Sequence, residues 1–190
     1  MADTFSNDLR LRLQESGSNA GTWGDLLNGT ITNIASGFGQ GSEAIPNAST
    51  HTITLADGTA DEARSLYLKC TGGGQACTVT LGPNTISKVR IIDNATSYTL
   101  TFSQGSGANI TMGNGKVAAV FTDGAVSGAA VLDAFADLEL MTSLTVGTDA
   151  IVGDDLTLKS DGAVLGFGAD TDVTLTHVAD TGLLLGGTRQ

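Results

Sequence analysis

The chain has 190 residues, of which 41% are hydrophobic and 15% are charged. This balance excludes an intrinsically disordered protein, because such chains are poor in apolar and rich in charged residues. Twenty acidic residues against nine basic ones give a formal net charge of −11, and so acidic a surface repels nucleic-acid phosphates and anionic lipids. No stretch approaches the length of a membrane-spanning helix. We therefore expect no nucleic-acid partner and no membrane insertion.

Glycine and threonine are the most informative residue types, with 26 of each, whereas aromatic residues make up only 5% of the chain. Threonine favours half-buried sheet surfaces, and glycine supplies turns. A low content of large side chains is better suited to narrow β-layers, or to a core that is shared between subunits, than to one thick interior. The composition therefore predicts a mainly β protein.

The first zone, residues 1–46, begins with a predicted short strand. Its leucines, Leu9, Leu11 and Leu13, alternate with two arginines, and a period of two is typical of a strand. A glycine-rich loop that contains the only tryptophan, Trp23, follows. A zone of this size buries little apolar surface by itself, so we expect it to dock on a partner.

A short helix is predicted next, from Asp25 to about Ser36. Three apolar residues recur at helical spacing: Leu27, Ile31 and Ile34. Asp25 is placed to cap the start of this helix, and Gly37 stands where a helix often stops. Trp23 is interpreted either as a core anchor under the helix or as an interface residue that binds the partner, and we favour the interface.

The second zone, residues 47–128, contains a series of short predicted strands separated by turn residues. Turn signals every ten to twelve residues or so are typical of an antiparallel β-sandwich or small barrel. Asn114–Lys116 is the best candidate for a two-residue hairpin turn. The strands are His51–Leu55, Leu66–Cys70, Thr78–Leu81, Lys88–Asp93, Tyr98–Ser103, Asn109–Met112 and Lys116–Thr122.

Two cysteines, Cys70 and Cys77, flank a glycine-rich turn. Their spacing allows a disulfide across a hairpin. The N-terminus has no basic region followed by an apolar run, so a secretory signal is not expected and the chain is expected to be made in a cytoplasm. Cytoplasmic synthesis favours two free, half-buried thiols.

The third zone, residues 129–142, is predicted to be an amphipathic helix of about three turns, a short helical neck. Alone in water such a helix is marginal. It either packs on the preceding sheet or pairs with copies of itself about a symmetry axis. Its apolar stripe, which we assign to the trimer interface, consists of Val131, Phe135, Leu138 and Met141.

The fourth zone, residues 143–190, repeats short apolar segments between corners rich in aspartate and glycine. This pattern predicts a β-solenoid or an intertwined trimeric β-shaft. Ordering the zone costs more free energy than its few aliphatic side chains return on burial, so identical neighbouring chains are expected to supply contacts. Six apolar residues that we assign to this subunit interface are Leu156, Leu158, Leu165, Phe167, Val173 and Leu175.

The order of these zones resembles that of tailed-bacteriophage fibre and minor virion proteins. The opening NDLRLRLQESGSNAGTWGDLLNGTITNIASG is similar to their N-terminal attachment region, with its alternating leucines, its Thr-Trp-Gly-Asp loop and its helix. The stretch from His51 to Gly124 resembles the β-domain that follows in such proteins, and DDLTLKSDGAVLGFGADTDVTLTHVADTGLLL resembles their shaft repeat. Together the three segments cover nearly the whole chain.

The resemblance implies a homotrimeric tail fibre that is attached to the virion through a tail or adaptor (nozzle) protein, with a shaft that points toward the host. The sequence ends within the shaft pattern, so anchoring is favoured over contact with a host receptor, which a distal part would make. The expected anchoring residues are Leu9, Leu11, Leu13, Trp23, Leu27 and Ile31. Alternatives are a head-attached fibre or capsid decoration protein, and a fragment of a polysaccharide-degrading tailspike.

Few residues could take part in catalysis or metal binding, and we expect no enzymatic activity, no cofactor and no metal site. His51 and His177 lie far apart in strand-like surroundings, and no zinc-binding motif is present. The acidic corners of the fourth zone could bind Ca²⁺ but are better interpreted as solvated turns. If two of these aspartates formed a glycosidase pair, they would need an aromatic-lined cleft. The nucleophile-elbow motif of serine hydrolases is also absent from the sequence. These corners are Asp154, Asp155, Asp161, Asp170 and Asp172.

Overall fold

The computed structural model describes residues 3–136, 138–140, 143–160, 162–168, 173–178 and 182–187. The chain divides into two compact units, Met1–Glu139 and Leu140–Gln190. Strands predominate, and the sheets do not close into a barrel, so the predicted mainly β class is confirmed.

The N-terminal segment forms a small antiparallel ribbon from β1, Thr4–Phe5, and β2, Arg12–Leu13. The carboxylate of Asp3 holds the ribbon together, because it accepts hydrogen bonds from Arg12 Nη1 at 2.8 Å and from Asn19 Nδ2 at 3.0 Å. The predicted strand over the three leucines is therefore found only at its C-terminal end.

The predicted helix is confirmed as α1, Trp23–Gly37. Its N-cap residue is Thr22, which makes no side-chain capping bond, so the assignment of Asp25 as the cap was wrong. Asp25 instead lies in the first turn, where the helix dipole favours a negative charge. Gly37 is the last helical residue, as its position predicted.

All seven strands predicted in the second zone are present, with ends shifted by a few residues at most. Strand β3, which lies in the first zone, was not predicted, because its segment QGSEAI is polar and follows a glycine-rich stretch. The eight strands are β3 Gln40–Ile45, β4 Thr50–Thr54, β5 Tyr67–Gly72, β6 Cys77–Gly82, β7 Ser87–Asn94, β8 Leu100–Ser103, β9 Ile110–Met112 and β10 Val117–Asp123.

Between β3 and β8 the chain alternates between two sheets. Strands β3, β5 and β7 pair in parallel in one sheet, and β4, β6 and β8 pair in parallel in the other. The chain therefore winds through three successive coils, as in a solenoid. The antiparallel sandwich that we predicted was wrong for these six strands, because turn residues mark where a strand ends but not which strand the next one joins.

Antiparallel strands complete both sheets. β9 pairs with β8, and β10 pairs with β7, so the full strand orders are β11-β10-β7-β5-β3 and β4-β6-β8-β9. The last strand, β11, is Val131–Asp133, and Val131 pairs with Thr122 of β10.

Strand β11 overturns the predicted helical neck. Val131 is fully buried and its amide donates a hydrogen bond to Ala108 O at 2.8 Å. Phe135 and Leu138 lie beyond the strand, exposed and outside helical structure, and Met141 is outside the described residues. The helical spacing of these apolar residues does not produce a helix, because sheet pairing and burial determine the conformation of Val131.

The hydrophobic core lies between the two sheets of the first unit. Both cysteines belong to it and are free thiols, as predicted, although they are buried rather than half buried. Burial raises the pKa of Cys70 to about 12. The hydrophobic core residues with the least solvent exposure include Phe102, Leu55, Leu68, Ile86, Ile92, Leu100, Val79, Val120 and Val131.

The second unit contains an antiparallel meander of β12, Val164–Phe167, β13, Val173–Val178, and β14, Gly182–Gly187. Three of the short apolar segments of the fourth zone thus form strands, whereas residues 143–160 contain none. A solenoid was wrong for this zone, since successive strands pair antiparallel within one chain. The trimeric shaft stays a prediction.

Candidate functional site

The first candidate surface is one face of α1, which we call the helix stripe. Its members recur at intervals of four, four, three and four residues, the spacing of one helix face. Trp23 is 58% exposed and Phe38, the residue after the helix, is 75% exposed. The helix stripe consists of Trp23, Leu27, Ile31, Ile34 and Phe38.

α1 is buried against the rest of the first unit near its C-terminal end, away from the centre of the helix stripe. Asn33 and Gly37 are the buried residues of α1. A Cβ atom at Gly37 would lie at ordinary contact distance, 3.7 Å from Leu9 Cδ2 and 3.9 Å from Arg64 Cγ, so the end of α1 packs beside the 3-10 helix Glu62–Arg64. The packed contacts of α1 leave the helix stripe uncovered.

The predicted anchoring residues divide into two groups. Four are exposed: Leu13, Trp23, Leu27 and Ile31. Leu9 and Leu11 are half buried, and Leu9 lies beside Gly37 at the end of α1. The sequence analysis did not include Phe38, which extends the helix stripe; its position four residues after Ile34 was the available signal.

The second candidate surface belongs to the second unit, and we call it the C-terminal apolar surface. Ile151 is 94% exposed, and every described residue from 143 to 160 is exposed. A cavity of about 350 Å³ opens on this unit, lined by Leu156, Leu158, Ala163, Leu165, Leu175 and His177. The large exposed side chains of the surface are Leu144, Val146, Ile151, Val152, Leu156, Leu158, Val164, Leu165 and Phe167.

The residues predicted at the subunit interface fall in different places. Leu156, Leu158, Leu165 and Phe167 lie on the C-terminal apolar surface. Leu175 is half buried beside the cavity, and Val173 belongs to β13. Val131 is enclosed by the core of its own chain, so it is not available to a neighbouring chain.

No group of three or more histidine, cysteine, aspartate or glutamate residues that could hold a metal ion occurs in the described part of the chain. His51 Nε2 lies 2.7 Å from Glu43 Oε1, and His177 lies in the other unit, beside its cavity. Asp154 and Asp155 are exposed; the other acidic corners lie outside the described residues. Within those residues, no helix is long and apolar enough to cross a membrane.

A third feature, which was not predicted, is a group of three cations that we call the buried cation cluster: the buried Arg64 and Arg90 and the half-buried Lys88. Arg64 and Arg90 are 0% and 2% exposed. Arg64 Nη2 donates to Ala56 O at 2.8 Å and to Thr59 O at 2.7 Å, and Arg90 Nη1 donates to the Thr122 hydroxyl at 3.4 Å. Alternation along β7 points Lys88 and Arg90 to the same inner face of the sheet, which a strand prediction could have shown.

Within the buried cation cluster, the charges of Arg64 and Arg90 act on Lys88. Lys88 Nζ donates a hydrogen bond to Arg64 O. Burial, and then the charges of Arg90 and Arg64, lower the pKa of Lys88 to about 7. Burial also lowers the pKa of Arg90 to about 10. A positive charge on Lys88 is therefore unfavourable in the folded chain.

A pH dependence of stability follows from Lys88. In the unfolded chain its pKa is about 10.4, so above pH 7 the unfolded state binds a proton that the folded state has released. Stability is therefore expected to rise as pH rises through about 7 to 8.5 in low-salt buffer, and to be independent of Lys88 below that window. Chemical denaturation across this range measures the effect.

The matched variants are Lys88→Met, which should remove most of the rise, and Lys116→Met, which replaces an exposed lysine and should keep it. The window stops at about pH 8.5 because the raised pKa of the Cys70 thiol opposes the trend once unfolded thiols ionise. An identical pH profile in the wild type and Lys88→Met would contradict the assignment.

Comparisons with protein-family models, with curated proteins and with solved structures found no match to this chain.

Proposed function

We propose that this chain is a homotrimeric structural component of a tailed-bacteriophage fibre, anchored to a tail or adaptor protein by its N-terminal zone. The observation that carries the proposal is the C-terminal apolar surface. An exposed apolar area of this kind is typical of an interaction site rather than of a monomer surface. The sequence resemblance to phage fibre proteins supplies the biological setting.

Copies of the same chain are the partner that suits the C-terminal apolar surface best. The surface extends along the stretch from residue 143 to Phe167, in which strand β12 is the only regular element described. Stacking identical segments about an axis would bury Leu156, Leu158 and Leu165 against one another and replace the core that this stretch lacks. Three chains are the number that the resemblance implies.

The helix stripe is proposed as the contact with the tail or adaptor protein. Its aromatic and aliphatic side chains follow the spacing with which an amphipathic helix lies in an apolar groove. Trp23, at the start of α1, is the residue type that most often dominates such contacts. Repetition of one weak site on three chains makes attachment strong, since the second and third contacts form at high effective concentration.

Light scattering on the purified full chain tests the trimer. One chain has a mass of 19.2 kDa, so three chains would give about 58 kDa as three times that value. Leu158→Asp is expected to lower the mass toward that of one chain, because a desolvated carboxylate is costly in an apolar interface. The exposed neighbour Thr157→Asp is the control and should leave the mass unchanged. A wild-type mass of 19.2 kDa would refute the trimer.

Trp23→Ala tests the anchoring site separately. The variant should keep the mass of the wild-type oligomer, because Trp23 is exposed in the first unit, but it should be lost from assembled particles. Protein content of purified virions measures incorporation, and Asn28→Ala, on an exposed part of the same helix outside the stripe, should be incorporated normally. Wild-type incorporation of the Trp23 variant would show that the helix stripe is not the anchor.

A further inference from the structure

Three nitrogen atoms of the buried cation cluster have no hydrogen-bond partner among the described residues: Arg64 Nε, Arg64 Nη1 and Arg90 Nε. Their side chains are closed off from solvent. A guanidinium group stays protonated near neutral pH and has only donors, so these N–H groups need acceptors. Leaving such donors buried without acceptors costs considerable free energy.

The nearest negative charges are already engaged. Asp57 and Asp61 are the carboxylates that act on Arg64. Asp57 pairs with Arg10, and the two oxygens of Asp61 accept hydrogen bonds from Ala56 N at 3.1 Å and Ala63 N at 2.8 Å. No salt bridge to any of the three clustered cations occurs in the described part of the chain. These two carboxylates therefore act on Arg64 through their charge but accept no hydrogen bond from its free nitrogen atoms.

We propose that the buried cation cluster binds a small monovalent inorganic anion of the size of chloride, held by Arg64 and Arg90. An anion accepts several N–H bonds at once, so it satisfies the free guanidinium nitrogens and adds negative charge beside the clustered cations. Lys88 lies close enough to add its charge. A single small ion suits the site because the two guanidinium groups are enclosed, which excludes a large oxyanion or the side chain of a partner protein.

The experiment compares sodium chloride with sodium gluconate at equal sodium concentration, since gluconate is too large to enter an enclosed site. The melting temperature of the full chain should be higher in chloride and should level off as the site fills, by about 5 °C at a hundredfold excess over the dissociation constant. Arg90→Met should abolish this difference, and Lys116→Met should retain it. Bound chloride should also flatten the stability rise that Lys88 produces between about pH 7 and 8.5, because an anion favours the protonated amine.

Anomalous diffraction from crystals soaked in sodium bromide gives an independent result if Arg90→Met fails to fold. A bromide peak within hydrogen-bond distance of Arg64 and Arg90 is expected. The proposal is overturned if the melting temperature is the same in the two salts and no bromide peak lies at the cluster. It is equally overturned if chloride stabilises Arg90→Met as much as the wild type, or if phosphate stabilises the chain where chloride does not.

Discussion

Asn94→Ala should destabilise the first unit by about 4 kcal/mol or more. Asn94 is fully buried at the end of β7. Its amide Nδ2 donates to Tyr98 O at 2.8 Å, Gly113 O at 3.0 Å and Met112 O at 3.1 Å. Its Oδ1 accepts from the Thr96 hydroxyl at 2.7 Å. The side chain thus ties β7 to the turn before β8 and to the end of β9.

The large effect follows because the substitution removes several hydrogen bonds, of which those with Met112 O and the Thr96 hydroxyl are buried. Equilibrium unfolding in guanidinium chloride measures it as a lower midpoint. Asn109→Ala is the matched control, because Asn109 is exposed in the same unit and its replacement should change stability by about 0.5 kcal/mol or less. A loss below about 1 kcal/mol for Asn94→Ala would mean that water replaces the amide without cost.

Phe102→Ala should cost about 3–5 kcal/mol. Phe102 is fully buried in β8 and lies opposite Val79 of β6 and Ile110 of β9. Removing the ring leaves a cavity in the middle of the four-stranded sheet, where parallel pairing changes to antiparallel pairing. The surrounding strands hold one another in register, so they cannot move in to fill it.

The control for Phe102 is Phe38→Ala, which removes the same side chain from an exposed position. In the purified protein, without a virion partner, it should change the free energy of unfolding by about 0.5 kcal/mol or less. Equal losses for the two variants would show that the helix stripe is packed against the chain itself. That outcome would also remove the basis for the proposed anchor.

The positions of the strands in the second zone could be predicted, but their pairing could not. Apolar and polar residues alternate with a period of two in β5 and β6, and glycine-rich turns separate these strands. The same alternation arises whether a strand joins its immediate predecessor or the strand before that. Pairing Tyr67 with Gln40 and with Ile91 depends on which of several similar apolar strands packs best, a property of the whole core.

The helix at Trp23–Gly37 could be predicted because its apolar spacing and its final glycine are local signals. The segment that begins at Val131 shows the same helical spacing of apolar residues, but it forms a strand because pairing with β10 outweighs that spacing. The exposure of the helix stripe agreed with the prediction that this zone docks elsewhere, while the docking itself stays a prediction. The buried cation cluster was missed because its members come from two separate elements, and charged residues are rarely expected in a core.

The winding of β3 to β8 sets how the length of this part of the molecule can change. Neighbouring strands in a sheet are about 4.8 Å apart, so each coil adds one such step along the stacking direction. Duplicating the segment from β5 to β6 would lengthen the stack by a single step while leaving both terminal coils as they are. The length of such a spacer would therefore change in small, equal steps, through the gain or loss of whole coils.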